Sequence, residues 1–297
     1  MLDFGGVRGK GLGTLLRLPL RLMQALRQSH AIIRRINPDV VIGLGGYISF
    51  PAGLMTVLCR KPLVLHEQNS VAGLANRLLA RFARRVFTAF PQVLPRGQWV
   101  GNPLRKAFLD VPGPVERFAG RSGVLRVLVV GGSLGAQVLN EVVPQALALM
   151  PPDIRPLVTH QSGARQFDVL QENYRRAGVQ AELTPFIEDT ARAFADADLV
   201  ICRAGASTVT ELAAVGAAAL FVPFAAAVDD HQTHNARFLV GQGAGWMMKQ
   251  SEFTPVHLAQ MLRQDRQSLL GVALKARSLA RLEATSDVVR ACEEMVA

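Results

Sequence analysis

Cysteine is scarce in this chain of 297 residues: Cys59, Cys202 and Cys292 are all there is. They stand far apart and form no CxxC pair, which excludes a disulfide framework and a cysteine-based zinc site and fits a reducing compartment. Aromatic residues make up only 6% and charged residues 19%, against 49% apolar. Such a chain folds around a sizeable core, and disorder as its main state is excluded. MLDFGGVRGKG contains no apolar h-region, so no signal peptide is expected. Long uncharged runs are missing except for residues 40–59, which carry four glycines, Pro51 and Ser49. That run reads as a buried strand (Val40–Gly43), a turn at Gly45 and Gly46 and a buried helix from about Pro51, rather than as a bilayer span.

Acidic residues are almost absent from the first third. Residues 1–105 hold 15 Lys and Arg against Asp3, Asp39 and Glu67, a net of +12, while residues 106–297 are at −2 and the whole chain is at +10. A one-sided excess of this size suits a polyanionic partner, either anionic lipid headgroups or nucleic acid. Base-composition bias, seen in 28 Arg against 5 Lys, would also raise the basic count. Bias alone does not leave the remainder slightly acidic.

The length fits two domains or one large α/β unit. Short apolar runs alternate with helical patterns, the signature of parallel sheets with crossover helices. Strands are expected at Val40–Gly43, Leu63–His66, Val86–Ala89, Leu125–Val130, Leu157–His160, Leu199–Cys202 and Ala219–Val222. Helices are expected over 70–82, 136–149, 164–177, 207–216 and 230–242. The Pro- and Gly-rich stretch 101–123 reads as an interdomain linker. The expected domains are 1–105 and 106–280. The tail from about Ser268 is helical in pattern, and a return of 281–297 to the first domain is left open by the sequence.

Several turns carry residues suited to chemistry. GGSLGA (131–136) follows a strand and opens a helix, so backbone N–H groups and the helix N-terminus can meet an anion at the sheet's C-terminal edge. It is not a strict GxGxxG and no acidic residue closes the next strand, which disfavours hydride chemistry. CRAGASTVTE (202–211) repeats the arrangement. Ser207 and Thr208 are expected to cap its helix, and Glu211 suits both hydroxyls of a ribose better than it suits a phosphate. HEQN (66–69) places four polar residues at a strand's C-terminal end. His66 reads first as structural, whereas Asn69 can both donate to and accept from a sugar hydroxyl. Gln232 and Asn235 sit where a helix begins beyond FVPF. Asp229, Asp230, His231 and His234 resemble metal ligands but read first as capping and solvent groups. Asp196 and Asp198 form a DxD at the opposite end of the sheet, in a helix-to-strand turn.

A basic helix is expected over about 14–36. Leu18, Leu22, Ala25, Ser29, Ile32 and Ile36 make one core face. Leu16, Leu20 and Met23 lie opposite, with Arg17 and Arg21 beside them. Apolar residues on both sides fit either docking to an anionic membrane or burial on both faces.

Taken in order, RGKG (8–11), NPDVVIGLGGY (37–47), HEQN (66–69), GNPLR (101–105), GGSLGA (131–136), FIED (186–189), CRAGASTVTE (202–211) and FVPF (221–224) resemble the MurG family of lipid-linked N-acetylglucosaminyltransferases over essentially the whole chain. The resemblance implies an α/β protein of GT-B fold, with two Rossmann-like domains facing each other across a cleft. It also implies inverting transfer of N-acetylglucosamine from UDP to the C4 hydroxyl of the muramoyl unit of lipid I, giving lipid II for peptidoglycan. By motif match, Ile187 would contact uracil through its backbone and Glu211 would hold the ribose. Ser133 and the turn Ala206, Ser207, Thr208, Val209, Thr210 would flank the diphosphate. Asn69 and Gln232 would contact the donor sugar, with Arg105 also in the donor site. The implied partners are UDP-N-acetylglucosamine, lipid I, an anionic surface on the cytoplasmic face of the inner membrane, bound peripherally, and other cell-wall synthesis proteins. Nucleic acid, cofactor and metal are not implied. The family's first strand and its GGTGGH-type loop, whose histidine is implicated in acceptor binding or catalysis, have no counterpart in these residues. The first domain is therefore expected to be incomplete by about sixty residues, at ~30 per βα unit, as an upstream start or a truncated gene model would explain. A UDP-sugar-binding protein with impaired catalysis stands as the second reading.

Overall fold

The computed structural model describes residues 18–132, 135–224 and 230–296. The chain divides into two compact α/β units, Met1–Pro103 with Glu283–Ala297, and Leu104–Leu282. The division falls two residues before the expected one, so Arg105 belongs to the second unit.

In the first unit, α1 (Leu18–Ile36) packs on α2 (Ser49–Leu58), and four parallel strands run in the order β1 (Val41–Gly43), β2 (Leu63–Glu67), β3 (Arg85–Thr88), β4 (Gln98–Trp99). All of β2 is buried, as expected of a strand covered on both faces. Leu63 and Leu65 pack with Leu79, Ala80, Ala83 and Val86. On the other face Val64, Phe87 and Val100 meet Ala284, Val288 and Ala291 of the last helix, α13 (Ala284–Glu293). α2 begins two residues before Pro51 because both Ser49 N–H and Oγ–H bond the Gly46 carbonyl, at 3.3 and 2.7 Å. α3 spans only Leu74–Leu79. The carboxylate of Glu67 holds the preceding residues in a turn by accepting from Asn69 N–H and Gly73 N–H.

On α1, Ala25, Ser29 and Ile33 are buried, while Ile36 is exposed rather than in the core. The helix ends there, and Ile33 takes the inward position. Leu20 is 68% and Met23 47% exposed, with Arg21 exposed beside them. Leu16 and Arg17 lie outside the described residues. No helix among the described residues is long and apolar enough to cross a membrane.

The second unit has six parallel strands in the order β10 (Trp246–Met247), β9 (Ala219–Phe221), β8 (Leu199–Cys202), β5 (Arg126–Val130), β6 (Leu157–Gln161), β7 (Glu182–Thr184). Its core gathers Val127, Val129, Leu139, Val143, Leu170, Leu199, Ile201 and Leu220. The two-residue strands β4 and β10 and the short β7 are too brief for an apolar period to show.

The stretch 101–123 is not a linker. It forms α4 (Lys106–Leu109) and α5 (Pro114–Phe118), with Phe108, Pro114 and Phe118 buried. Its proline and glycine mark helix starts, Gly113 as N-cap and Pro114 at the first position. Arg117 donates to the carbonyls of Pro112, Ala195, Val215 and Gly216. It thereby answers carbonyls left over at the ends of α8 (Thr190–Asp196) and α9 (Ala206–Val215). The helical tail is likewise two helices, α12 (Arg266–Ser278) and α13, broken between them.

Candidate functional site

The second sheet starts at its middle: the chain runs from β5 out to β6 and β7, then crosses to β8 and β9. The C-terminal ends of β5 and β8 are therefore neighbours at the point where strand order reverses, the place where open α/β sheets hold ligands. Two turns and two helix starts meet there. After β5, Gly131 and Gly135 are sites of close approach. A Cβ on Gly131 would sit 2.6 Å from Ala136 N, and one on Gly135, at φ +77°, would run into the Ser162 carbonyl. Ser133 lies outside the described residues. The following helix, α6 (Gln137–Ala148), has Ala136 as N-cap and no side-chain cap. After β8, the N-cap of α9 is Gly205, again without a side-chain cap. Ser207 and Thr208 thus lie inside the first turn of α9 rather than capping it, because the helix starts one residue earlier than expected. Uncapped first-turn amides at the positive end of a helix dipole are suited to an anion. Val209 is in the core and the Thr210 hydroxyl bonds back to the Ala206 and Ser207 carbonyls. What 206–211 presents is therefore backbone at its start, the exposed Ser207 and half-buried Thr208 side chains, and the Glu211 side chain.

The Glu211 side chain is 20% exposed, and its carboxylate lies 3.7 Å from Arg105 Nη2. Burial pushes its pKa up, and the Arg105 charge opposes the shift. The same guanidinium donates to Thr190 Oγ1 at 2.8 Å and lies over the Phe108 ring. Thr190 opens α8, three residues after Ile187, so Arg105 joins the turn carrying Ile187 to the carboxylate. Ile187 is half-buried and lines a groove of about 800 Å³. That groove runs along the sheet face to Arg126 and Leu157, at the N-terminal ends of β5 and β6. It leads away from the two glycine turns.

Beyond β9, Gln232 on α10 (His231–Val240) accepts from Phe224 N–H through Oε1 at 2.9 Å. Asn235, fully buried, donates to the Ala204 carbonyl. Gln232 thus closes the loop after β9 on itself, and Asn235 ties the helix to the turn after β8. Asp230 accepts from Thr233 Oγ1 at 2.6 Å, and no group of three or more His, Cys, Asp or Glu suited to a metal gathers among the described residues.

In the first unit HEQN forms a braced turn. His66 is buried, with Nε2 on the Gly101 carbonyl at 2.8 Å, and Nδ1 has no partner among the described residues. Burial lowers its pKa, so the ring is neutral at neutral pH. Glu67, also buried, accepts from Asn76 Nδ2 at 2.8 Å as well as from the two backbone amides. Asn69 is thus presented by a loop whose backbone Glu67 holds, at the C-terminal end of β2.

Residues 126–289 match the glycosyltransferase family 28 C-terminal domain and residues 1–88 the family's N-terminal domain. The transferase of Albidiferax ferrireducens named UDP-N-acetylglucosamine–N-acetylmuramyl-(pentapeptide) pyrophosphoryl-undecaprenol N-acetylglucosamine transferase is 69% identical, over 99% of this chain and 76% of its own length. A protein of the same name from a Polaromonas species is 67% identical, over 99% and 76%. The crystal structure of Acinetobacter baumannii MurG superposes with a TM-score of 0.87 at 39% identity, covering 99% of this chain and 84% of that one. The chain belongs to the MurG family.

Its two Rossmann-like units are accordingly those of a GT-B glycosyltransferase. Within the MurG frame, several residues that the motifs did not single out support the turns. Arg203 donates to the carbonyls of Val222 and Pro223 and to Gln250 Oε1, and lies over the Phe224 ring. His160, pushed down to about 3 by burial, bonds Tyr174 and Asn140. Asn140 in turn donates to the Ser162 carbonyl and Gln166. A buried polar residue at a strand end was the available signal, and His160 and Gln161 both carry it. The DxD is structural at Asp198, which pairs with Arg121 at 2.7 Å and Arg266 at 3.0 Å.

Proposed function

We propose that this chain transfers N-acetylglucosamine from UDP-N-acetylglucosamine to the muramoyl unit of lipid I, giving lipid II, the activity for which its relatives are named. The observation that carries the reading is Glu211, a mostly buried carboxylate beside Arg105 on a helix whose N-terminus is uncapped. A carboxylate there answers a ribose diol, and the helix start next to it answers the diphosphate. Ile187, one turn away through Arg105 and Thr190, offers backbone to uracil. Gln232 and Asn69 are assigned to the donor sugar.

In the reaction a base takes the proton of the C4 hydroxyl as its oxygen bonds to the anomeric carbon from the face opposite the diphosphate. The bond to the diphosphate breaks and UDP leaves with the charge, so the configuration inverts. The uncapped starts of α6 and α9 stabilise that charge without a cation. His66 is not assigned as the base, because Nε2 donates to the Gly101 carbonyl and Nδ1, the nitrogen left to take a proton, is buried.

The acceptor's lipid remains in the bilayer, so the basic first unit is assigned to the cytoplasmic face of the inner membrane. Leu16, Leu20 and Met23 form the apolar contact, with Arg17 and Arg21 on anionic headgroups at about 1 kcal/mol each. The experiment is transfer of labelled N-acetylglucosamine to lipid I in EDTA. Lipid II is the expected product. UDP binding without transfer would favour a binding protein, and absence of both would overturn the reading.

A further inference from the structure

Gln161 ends β6, the strand between β5 and β7. In the parallel ladder it lies opposite Val130 on one side and Thr184 on the other, the last residues of those strands. The turn after Val130 is assigned to the diphosphate, and the turn after Thr184 carries Ile187, assigned to uracil.

The side chain of Gln161 is buried between them. Its Nε2 donates to the Gly132 carbonyl at 3.1 Å and to the Pro185 carbonyl at 3.4 Å. One amide nitrogen therefore holds a carbonyl of each turn. Both partners are acceptors, so only the nitrogen can face them, and the orientation of the amide follows from chemistry. Oε1 is left shut away from solvent with no partner among the described residues. An unanswered buried acceptor is unfavourable, and an apolar side chain of similar size would fill the strand end without one. Packing alone does not call for glutamine here. The two-ended bond does.

We propose that Gln161 is a positioning residue for the donor nucleotide: it sets the separation of the diphosphate turn and the uracil turn by holding a carbonyl of each. The proposal rests on the donor-site reading above. A ligand that bridges two half-sites gains from a fixed spacing between them, because its second contact is intramolecular; a ligand that reaches one half-site gains nothing. UDP bridges the two turns, whereas uridine reaches only one.

Calorimetry of the intact chain with UDP and with uridine separates these cases. Gln161→Met keeps the volume and removes both donors. UDP should bind about tenfold more weakly and uridine within about twofold of wild type. The KM for UDP-N-acetylglucosamine should rise with the UDP Kd, while kcat and the acceptor KM hold. Gln161→Asn, a methylene shorter, should behave like the methionine variant, since it cannot reach both carbonyls. Unchanged UDP binding in a folded Gln161→Met would overturn the proposal, as would equal losses for UDP and uridine. Failure of both variants to fold would mark the amide as a structural element and overturn it too. A wild-type chain that binds neither ligand would instead refute the donor site itself.

Discussion

Glu211→Ala removes a side chain that is one-fifth exposed and whose burial holds its pKa above the ordinary carboxylate value. If that carboxylate takes the ribose hydroxyls, the variant leaves them without a charged acceptor, a loss of about 1.5–3 kcal/mol. At ~1.4 kcal/mol per factor of ten, UDP should bind about 10- to 150-fold more weakly. Little is returned by freeing Arg105, because that side chain is 63% exposed and an ion pair so placed is worth only about 0–1 kcal/mol. Asn69→Ala, touching only the transferred sugar, should leave UDP affinity within about twofold and weaken UDP-N-acetylglucosamine alone. Isothermal calorimetry at fixed ionic strength reads all of these. The pH dependence supplies a second axis. Only the carboxylate accepts both hydroxyls, so affinity should fall as pH drops through a pKa raised above the usual glutamate range. Arg105→Met should move that fall to higher pH, and Glu211→Gln should abolish it. The folded state binds the Glu211 proton more readily than the unfolded chain, so the ionised group subtracts stability once pH rises through its raised pKa. Glu211→Gln should therefore melt no lower than wild type at neutral pH while binding UDP worse. A UDP Kd within twofold of wild type for Glu211→Ala, or equal losses in Glu211→Ala and Asn69→Ala, would refute the reasoning.

Asp198→Asn leaves the guanidinium groups of Arg121 and Arg266 without their buried carboxylate. It should cost about 3–5 kcal/mol in urea unfolding while sparing UDP binding of the folded chain. Burial raises the Asp198 pKa, but bonds from Arg266, the Arg126 amide and Arg121 outweigh it and the net shift is downward. Its contribution is thus present above the ordinary aspartate pKa and fades as pH falls through the depressed one, so the variant should show a shallower acid limb in a melting series. Turnover should persist in EDTA, and loss rescued by Mg²⁺ would refute the cation-free departure of UDP. Leu16→Ser with Leu20→Ser, or Arg17→Glu with Arg21→Glu, should release folded protein from anionic vesicles in sedimentation. Retention of both pairs would place the membrane contact elsewhere.

The α/β class, the principal strands and the positions of the glycine turns were legible in the sequence because each is a local property. β2 opens as LVL before the polar His66 and Glu67, and β8 reads as LVIC between turn residues, since strands covered on both faces favour runs of apolar side chains. Glu211 was legible for the same reason, as a carboxylate at a fixed distance along a helix from a glycine turn. Tertiary structure decided what depended on distant partners. Residues 101–123 look like a linker until Arg117 is seen on the carbonyls of Ala195 and Val215. Residues 70–73 look helical until Glu67 is seen to hold the Gly73 amide. Gln161 carries no motif at all. Its two acceptors, Gly132 and Pro185, lie 29 residues before and 24 after it in the chain, and strand order alone brings them to one nitrogen. Propensity and periodicity are summed over neighbours in sequence, whereas a buried donor is satisfied by whatever carbonyl the fold delivers.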